Sequence, residues 1–316
     1  MRFALCAMSV MWMFGTTILA QVTAKQVGFR TGESEVVITV DSQPTASYVY
    51  RDPTGRIPRP YFAHVKAPGG IQVTRNHPPV PGQDRTDHDT MHPGIWMAFG
   101  DLDDSDFWRN KAKVTHIRFV EEPTGGADRG WFVEEKQYFR SDDSLVCNEQ
   151  FRCEVRVRPG GYLLTWDSTF SSENVFYFGD QEEMGLGLRV ASPLSEMKGG
   201  QLSDSKGRKG AKAIWSQPAK WCDYSGIIDG QRIGMTLMCH PANFRASWMH
   251  ARNYGFVAAN PFGRQAMNKG AQSKVVVKPG ETLRLRYGVW IHCTDADQRS
   301  TIDSAYADYI KIADRH

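Results

Sequence analysis

Apolar and polar residues alternate with a period of two along most of the chain, from Glu35 to Cys293. Between Phe151 and Arg158 every odd position is apolar and every even position is charged, which predicts a strand with one face in solvent. The segment from Pro159 to Gly161 then turns the chain into the apolar run Tyr162–Trp166. The two runs are therefore predicted to form a hairpin.

The same order of strand, Pro-Gly turn and strand recurs near the C-terminus, and shorter runs fill the middle of the chain. The further predicted strands are Val36–Val40, Ser47–Arg51, Val114–Glu121, Trp131–Phe139, Val175–Phe178, Leu186–Ala191, Lys212–Trp215, Tyr224–Ile228, Ile233–Cys239, Gly255–Ala259, Lys274–Val277 and Leu283–Val289. Because Gly and Pro stand at many of the junctions, the pattern predicts a large antiparallel sandwich or barrel, an all-β fold.

One helix is predicted over Asp295–Ile312, where apolar residues recur at three- and four-residue spacings. Residues 76–91 and 195–212 have the least regular pattern, and we expect them to be surface loops. No linker rich in Pro, Gly or Ser and no internal repeat interrupts the chain. Residues 21–316 are therefore predicted to form a single β-sandwich domain.

The first twenty residues have the pattern of a signal peptide. Arg2 supplies a positive charge, the segment from Ala4 to Leu19 carries none, and Ala20 precedes the polar Gln21. The alternative is an N-terminal membrane anchor, for which the apolar run is near the lower length limit. We expect residues 1–20 to be removed, and the mature protein to be periplasmic or secreted, with no membrane contact.

Charge and cysteine content exclude several classes of protein. The 38 Lys and Arg against 35 Asp and Glu give a formal net charge of +3 with the signs mixed, so no nucleic-acid partner is predicted. The sequence contains no CxxC pair, so neither a thiol redox site nor a cysteine-rich zinc site is predicted. Cys147 and Cys153 lie six residues apart in one predicted strand, about 20 Å at about 3.3 Å per residue, too far to bond each other. Buried, unreactive thiols are expected.

A first polar cluster runs from Asp87 to Trp96 and contains His88, Asp89 and His92. Neutral imidazoles bind metals, and imidazole also titrates near neutral pH. The cluster therefore suits either a divalent metal, with His88 and His92 as ligands, or proton transfer. The alternative is a polar loop whose histidines bond only to backbone groups.

A second cluster, from Gly179 to Gly187, carries the carboxylates Asp180, Glu182 and Glu183 between glycines. A tight turn at a strand start would point one carboxylate into a cleft, where burial raises its pKa toward working pH. Strand alternation places Glu182 and Glu183 on opposite faces, and Glu183 is the one we expect in the cleft. The alternative is a solvated acidic turn.

A third cluster, from Cys239 to Arg252, combines Trp248 with hydrogen-bond donors. The ring of Trp248 offers a stacking face for a sugar, and the donors are His250, Asn243, Arg245 and Arg252. The alternative is an aromatic core patch with surface arginines.

These segments together resemble the exported bacterial proteins labelled "methane oxygenase PmoA". The resemblance rests on Arg59–Phe62, on His88 to Trp108, on Gly179–Gly185 and on His240 to Gly263, and it covers nearly all of the mature chain. That family is similar in size and β pattern to the galactose-mutarotase-like supersandwich, a fold of sugar epimerases, polysaccharide lyases and glycosidase domains. The resemblance therefore implies a large antiparallel supersandwich with one C-terminal helix.

In mutarotases of that fold histidines act as the acid and a glutamate as the base. The resemblance thus implies His88 or His92 as the acid and Glu183 as the base, with His250 as a further catalytic candidate. Residues expected to bind substrate are Arg59, Tyr61, Arg75, Asp180, Asn243, Arg245, Trp248 and Arg252.

Three functions follow from these clusters. The first is an exported carbohydrate-active enzyme of epimerase, lyase or hydrolase type that uses His/Glu acid–base chemistry and takes a sugar or glycoside as its partner. The second is a non-catalytic carbohydrate-binding protein with the same groove. The third is a metal-dependent enzyme or copper site at His88, His92 and His250. We further predict that the three clusters, although far apart in sequence, line one concave face.

Overall fold

A computed structural model describes residues 24–294 and 298–315, and the predicted signal peptide lies outside them. The strands are β1 (Gln26–Thr31), β2 (Glu35–Val40), β3 (Gln43–Val49), β4 (Tyr61–Ala63), β5 (Ile95–Phe99), β6 (Lys113–Thr124), β7 (Gly126–Ala127), β8 (Arg129–Phe139), β9 (Leu145–Arg158), β10 (Gly161–Ser171), β11 (Phe176–Phe178), β12 (Met184–Arg189), β13 (Gln201–Asp204), β14 (Trp221–Ile228), β15 (Gln231–Cys239), β16 (Trp248–Arg252), β17 (Phe256–Asn260), β18 (Val275–Val277) and β19 (Leu283–Thr294). The helices are α1 (Ala211–Ile214) and α2 (Gln298–Ala313).

Most of these strands form two large sheets. A nine-stranded sheet has the order β16-β17-β12-β5-β4-β3-β2-β1-β7, and an eight-stranded sheet has the order β13-β14-β15-β19-β10-β9-β8-β6. The pair β11-β18 stands apart. Every ladder between these strands is antiparallel. The predicted all-β antiparallel fold with one long C-terminal helix is confirmed.

Alternation along each strand separates the core from two outer layers. On β5, Ile95, Met97 and Phe99 pack in the main core with residues of both sheets, whereas Trp96 and Ala98 belong to a cluster on the other face. On the eight-stranded sheet the outer face is covered by α2, which contributes the buried Ile302, Ala305, Tyr309, Ile312 and Ala313. The outer face of the nine-stranded sheet is covered by loops instead, and loops can present polar groups to a ligand.

Two local predictions were wrong. Residues 212–215 are not a strand, because Ala211 and Ile214 are buried on one side of the short helix α1, which starts after Gly210 at φ +84°. Residues 195–212 are not a loop throughout, since they contain β13, whose ladder with β14 buries Leu202 and Asp204. The predicted helix matches α2 from Gln298 onward, and residues 295–297 lie outside the described chain.

The cysteines behave as expected from the sequence. Within the described residues Cys147, Cys153, Cys222 and Cys239 are buried, Cys293 is half-buried, and none forms a disulfide. Burial raises the pKa of the Cys147 and Cys153 thiols well above the ordinary value, so both are protonated and unreactive. Neither helix in residues 24–294 and 298–315 is long and apolar enough to span a bilayer.

Candidate active site on the outer face of the nine-stranded sheet

Four neighbouring strands build the floor of the candidate site. The ladders β5–β12, β12–β17 and β17–β16 place Trp96, Gly187, Ala258 and His250 in one row across the outer face. Residue 187 has to be small, because a Cβ there would lie 2.7 Å from the Trp96 ring. The small side chains in the middle of the row therefore let the Trp96 ring lie flat on the sheet.

A set of rings rests on this floor, which we call the aromatic platform: His92, Trp96, Trp108 and Phe256. His92 stacks on Phe256 with ring centroids 4.6 Å apart and on Trp96 at 5.0 Å. Trp108 meets Trp96 edge-on at 5.3 Å. Burial, followed by nearby arginines, lowers the pKa of His92 well below its ordinary value. The His92 ring is therefore neutral at pH 7 and packs as an aromatic side chain.

Glu182 and His250 form a hydrogen-bonded pair at one side of the platform. Oε1 of Glu182 accepts from Trp215 Nε1 at 2.8 Å and from Arg252 Nη2 at 2.7 Å, and lies 3.4 Å from His250 Nε2. The backbone carbonyl of Glu182 accepts from His250 Nδ1 at 3.0 Å, which fixes the proton of the neutral ring on Nδ1. Nε2 then carries a lone pair of electrons that faces the Glu182 carboxylate, so the two side chains together can bind one more proton.

The charge state of this pair follows from burial and from its neighbours. Burial lowers the pKa of His250 to about 4, against the opposing effect of Glu182. Burial alone would raise the pKa of Glu182, but His250, Arg252 and Trp215 together lower it. At pH 7 the pair is therefore a neutral imidazole beside a partly exposed carboxylate. Among the described residues no hydrogen bond falls on Oε2 of Glu182, which leaves this oxygen open to a ligand.

Glu183, the residue expected to reach the cleft, has a different partner. Its carboxylate forms an ion pair with Arg109. Nη1 of the same guanidinium lies 3.2 Å from Oδ2 of Asp106. The Glu183 carbonyl accepts from the Gly100 amide at 2.8 Å, so this residue already lies in register with β5. The carboxylate that meets His250 and Arg252 is that of the preceding residue, Glu182, which the sequence argument placed on the wrong face.

Asp87 and His88 form a second pair on the other side of the platform. Asp87 Oδ2 lies 3.0 Å from Nδ1 of His88, so Nδ1 carries the ring proton and Nε2 is free to act as acceptor. His88 stacks on His92 at 4.8 Å and is more than a third exposed. Its backbone is in the left-handed region, at φ +51°. This conformation holds the ring between the buried His92 and solvent.

His92 and His250 both contact the ring of Phe256, at 4.6 Å and 4.9 Å. The first and third sequence clusters therefore meet on one face, and the second joins them through Glu182. The Asp87–His88 pair and the Glu182–His250 pair lie on either side of His92 and Phe256. Phe256, Glu182 and Trp215 were not predicted from the sequence.

Arg59 and Arg75 support the loop that carries His88 and His92. Both guanidinium groups are buried. Arg59 donates to the carbonyls of Met91, Phe107 and Trp108 and to Asn110, and Arg75 donates to those of Arg85, Asp87, His88 and His92. Because their donors are bonded to backbone, these two predicted substrate-binding residues have a structural role.

Asp180 and Asn243 are also engaged within the fold. The carboxylate of Asp180 accepts three backbone amides, from Gln265 and Ala266 at 2.9 Å and from Ser273 at 2.6 Å. The amide of Asn243 bonds the backbone of Arg286 in both directions, at 3.0 and 2.8 Å. Neither side chain is positioned as a ligand-binding group, contrary to the sequence expectation.

Arg245, Trp248 and Tyr61 lie at the margins. Arg245 donates to the Pro261 carbonyl at 3.0 Å and covers the partly exposed Trp248 ring, 5.4 Å from its centroid. Tyr61 donates to Asp52 and lines a cavity of about 230 Å³ next to the platform. A larger cavity of about 910 Å³ lies elsewhere, around Lys66 and Tyr162, and no predicted site residue lines it. The chemistry, rather than cavity size, therefore locates the site.

Several buried polar atoms around the platform have no hydrogen-bond partner within the described residues. They are Trp96 Nε1, Trp108 Nε1, His92 Nδ1, His250 Nε2, Nε of Arg59 and Arg75, and Nε and Nη1 of Arg189. Indole and guanidinium nitrogens can only donate. Buried polar groups without partners are rare in folded proteins. Their concentration here suits a ligand rich in oxygen acceptors.

The histidines do not assemble a metal site with other ligands. Within residues 24–294 and 298–315 no group of three or more His, Cys, Asp and Glu side chains is placed to hold a metal ion. The rings of His88 and His92 lie face to face, 14° from parallel, so they stack on each other.

Residues 35–307 match a protein-family model described as "Family of unknown function (DUF6807)". No curated protein matches the chain. Similar solved structures include a galactose mutarotase-like protein from Clostridium acetobutylicum, 9% identical, covering 86% of this chain and 99% of that chain with a TM-score of 0.42. A galactose mutarotase related enzyme from Lactobacillus acidophilus is 9% identical and covers 84% and 97%, with a TM-score of 0.37. An α-galactosidase from Lactobacillus brevis is 9% identical and covers 85% and 39%, with a TM-score of 0.34.

Proposed function

We propose that this chain, which belongs to the DUF6807 family of unknown function, is a carbohydrate-active enzyme whose site lies on the outer face of the nine-stranded sheet. The observation that carries the proposal is the group of unpartnered donors around the aromatic platform. A sugar ring has apolar C–H faces that stack on aromatic rings, and its hydroxyl oxygens accept hydrogen bonds. The platform rings are themselves buried, so the stacking face would be the partly exposed rings of His88 and Tyr254, which stack on His92 and Phe256 beside the donors.

Glu182 is the general base in this proposal. Its Oε1 is held by Trp215 and Arg252, and its Oε2 is open. A proton removed from a sugar C–H or from a water molecule would pass to Oε2. Glu182 thus takes the role that the sequence gave to Glu183.

His88 is the general acid. Asp87 accepts the Nδ1–H of His88, so Nε2 is the atom that would deliver a proton to a leaving or ring oxygen. With an acid and a base on either side of the platform, the site suits epimerase, lyase or hydrolase chemistry. Export belongs to the same proposal and rests on the signal-peptide pattern of residues 1–20. The resemblance to the exported proteins labelled PmoA is also part of the proposal.

The two adjacent glutamates offer a matched test. A panel of sugars, glycosides, lactones and uronides would first be screened for binding by thermal shift, and turnover of each ligand found would be followed by NMR. Glu182→Gln keeps the shape of the side chain and removes the proton acceptor, so binding should survive and turnover should fall by at least about a hundredfold. Glu183→Gln, which loses only the pair with Arg109, should change turnover by less than about tenfold. Turnover indifferent to Glu182→Gln would contradict the assignment.

A non-catalytic carbohydrate-binding protein is the second candidate. It is favoured by the pKa of about 4 for His250, because an imidazole that stays neutral and a carboxylate that stays ionised also make a fixed recognition pair. Tight sugar binding without turnover of any member of the panel would support it. Turnover abolished by a chelator and restored by a divalent metal would instead support the metal-dependent alternative at His88 and His92.

A further inference from the structure

Arg189 is a buried arginine that no sequence cluster included. It stands on the outer face of β12, opposite Phe256 in the ladder, and its side chain is only 1% exposed. Its guanidinium lies over the ring of Tyr254 at 4.3 Å, and its Nη2 donates to Asp87 Oδ1 at 2.9 Å. Its Nη1 and Nε have no partner within the described residues. One side of the guanidinium is thus bonded, and the remaining donors are unused.

The charges around Arg189 do not balance. The carboxylate of Asp87 faces three guanidinium groups, those of Arg189 at 2.9 Å, Arg85 at 3.3 Å and Arg75 at 3.6 Å, and it also bonds His88. Two further carboxylates lie near this group, but each is engaged elsewhere. Asp84 bonds Asn76, Ser192 and the Val80 amide, and Asp89 pairs with Arg56.

The excess positive charge is costly where it is buried. A buried ion without a counter-ion destabilises a protein by several kcal/mol, so such charges are normally paired. Arg75 uses its terminal donors on four backbone carbonyls. Only Nε of Arg75 is left without a partner among the described residues, whereas Arg189 keeps two such donors, Nε and the terminal Nη1, for an anion.

We propose that Arg189 binds an anionic group of the ligand, so that the substrate is an acidic sugar carrying a carboxylate or a phosphate. This inference rests on the proposed carbohydrate function and names its substrate class. Arginine is suited to this task because it is always charged and makes directional hydrogen bonds to carboxylate and phosphate oxygens. The half-buried Tyr254 and the exposed Arg85, whose guanidinium lies 5.3 Å from the Tyr254 ring, form the solvent side of this subsite.

The test compares matched acidic and neutral probes by calorimetry. D-glucuronate and D-galacturonate are compared with D-glucose and D-galactose, and glucose 6-phosphate and acetate complete the set. A charge-assisted hydrogen bond contributes about 1.5–3 kcal/mol, so the acidic sugars should bind at least about tenfold more tightly than their neutral counterparts. Arg189→Lys should lower the affinity for the acidic sugars at least about tenfold more than the affinity for the neutral sugars. Arg284→Lys, which alters an ion pair with Asp167 on the other sheet, is the control and should change neither.

Each outcome bears on one of the two proposals. Equal affinity for neutral and acidic sugars would overturn the anion subsite and leave the carbohydrate proposal intact. Stabilisation by acetate that is lost in Arg189→Lys, without binding of any sugar, would overturn the carbohydrate proposal and support the subsite. A preference for glucose 6-phosphate over both uronates would identify phosphate as the anion. If Arg189→Lys fails to fold, Arg85→Gln at the exposed rim should lower uronate affinity about threefold or more, and an unchanged uronate affinity would count against the subsite.

Discussion

The buried His250 should make the protein lose stability in mild acid. Its pKa in the folded protein is about 4, below the value of about 6.5 expected in the unfolded chain. As pH falls below about 6.5, the unfolded chain therefore takes up a proton that the folded protein refuses. The stability contributed by neutral His250 is fully present above pH 6.5 and is lost as the pH falls toward 4.

The size of this loss follows from the shift. Each pKa unit corresponds to about 1.4 kcal/mol, and between pH 7.5 and pH 4.5 nearly two units of the difference are realised. The free energy of unfolding should thus fall by about 2.5 kcal/mol through His250 alone. Glu182, whose pKa is also lowered, adds to the loss only at the acid end of this range, because its unfolded pKa is about 4.5.

The assay is urea unfolding at pH 7.5 and pH 4.5 of the wild type and of His250→Asn. Asparagine cannot take up the proton, but its amide can still donate to the Glu182 carbonyl, as Nδ1 of His250 does. The acid-induced loss should be smaller in the variant by about 2.5 kcal/mol. His77 and His92 are present in both proteins and His250 is not among the groups that shift their pKa values, so their contributions cancel in this difference. Equal losses in His250→Asn and the wild type would refute the reasoning.

Three other perturbations have defined outcomes. Gly187→Ala should displace Trp96 and lower the free energy of unfolding by about 1–3 kcal/mol. Gly32→Ala is the control and should change that free energy little, because its Cβ would lie 3.5 Å from the Glu35 carbonyl oxygen. An unchanged stability of Gly187→Ala would mean that the ring is not held on the sheet. Asp180→Asn should lower the free energy of unfolding by about 2 kcal/mol, because the amide has one acceptor oxygen for three backbone donors. Thermal unfolding measures this loss, and an unchanged midpoint would contradict the prediction. Dialysis against a chelator should leave the melting temperature unchanged, and a stoichiometric metal found by elemental analysis, whose loss lowers that temperature, would favour the metal-dependent alternative.

The sequence predicted the strands whose two faces differ. β9 alternates from Phe151 to Arg158, where the apolar residues Phe151, Cys153 and Val155 pack in the core, and its hairpin with β10 was found from the Pro-Gly-Gly turn. β5 was missed for the opposite reason, since all five of its residues are buried and no alternation remains. Trp96 of the aromatic platform lies on that strand, so this part of the floor could not be predicted from periodicity.

The site residues show the same limit. The three clusters were found from residue type, but which glutamate reaches His250 depends on a register of one residue at the start of β12. Arg189 carries a readable signal, because Leu186 and Leu188 face the core and leave residues 187 and 189 on the outer face. The bonds that engage Arg59, Arg75, Asp180 and Asn243 are made with distant backbone groups, which the sequence alone does not reveal.

The row from Trp96 to His250 also sets the order in which the molecule can fold. Residue 187 pairs with a strand about 90 residues earlier and with one about 70 residues later, so this part of the sheet has a high contact order and should form slowly. Until β17 has been synthesised, the apolar flank of β12 has no partner strand beside it. A nascent chain that stops short of residue 256 would therefore expose an open, aggregation-prone sheet edge. During biosynthesis the face that carries the candidate site would be among the last parts of the protein to close.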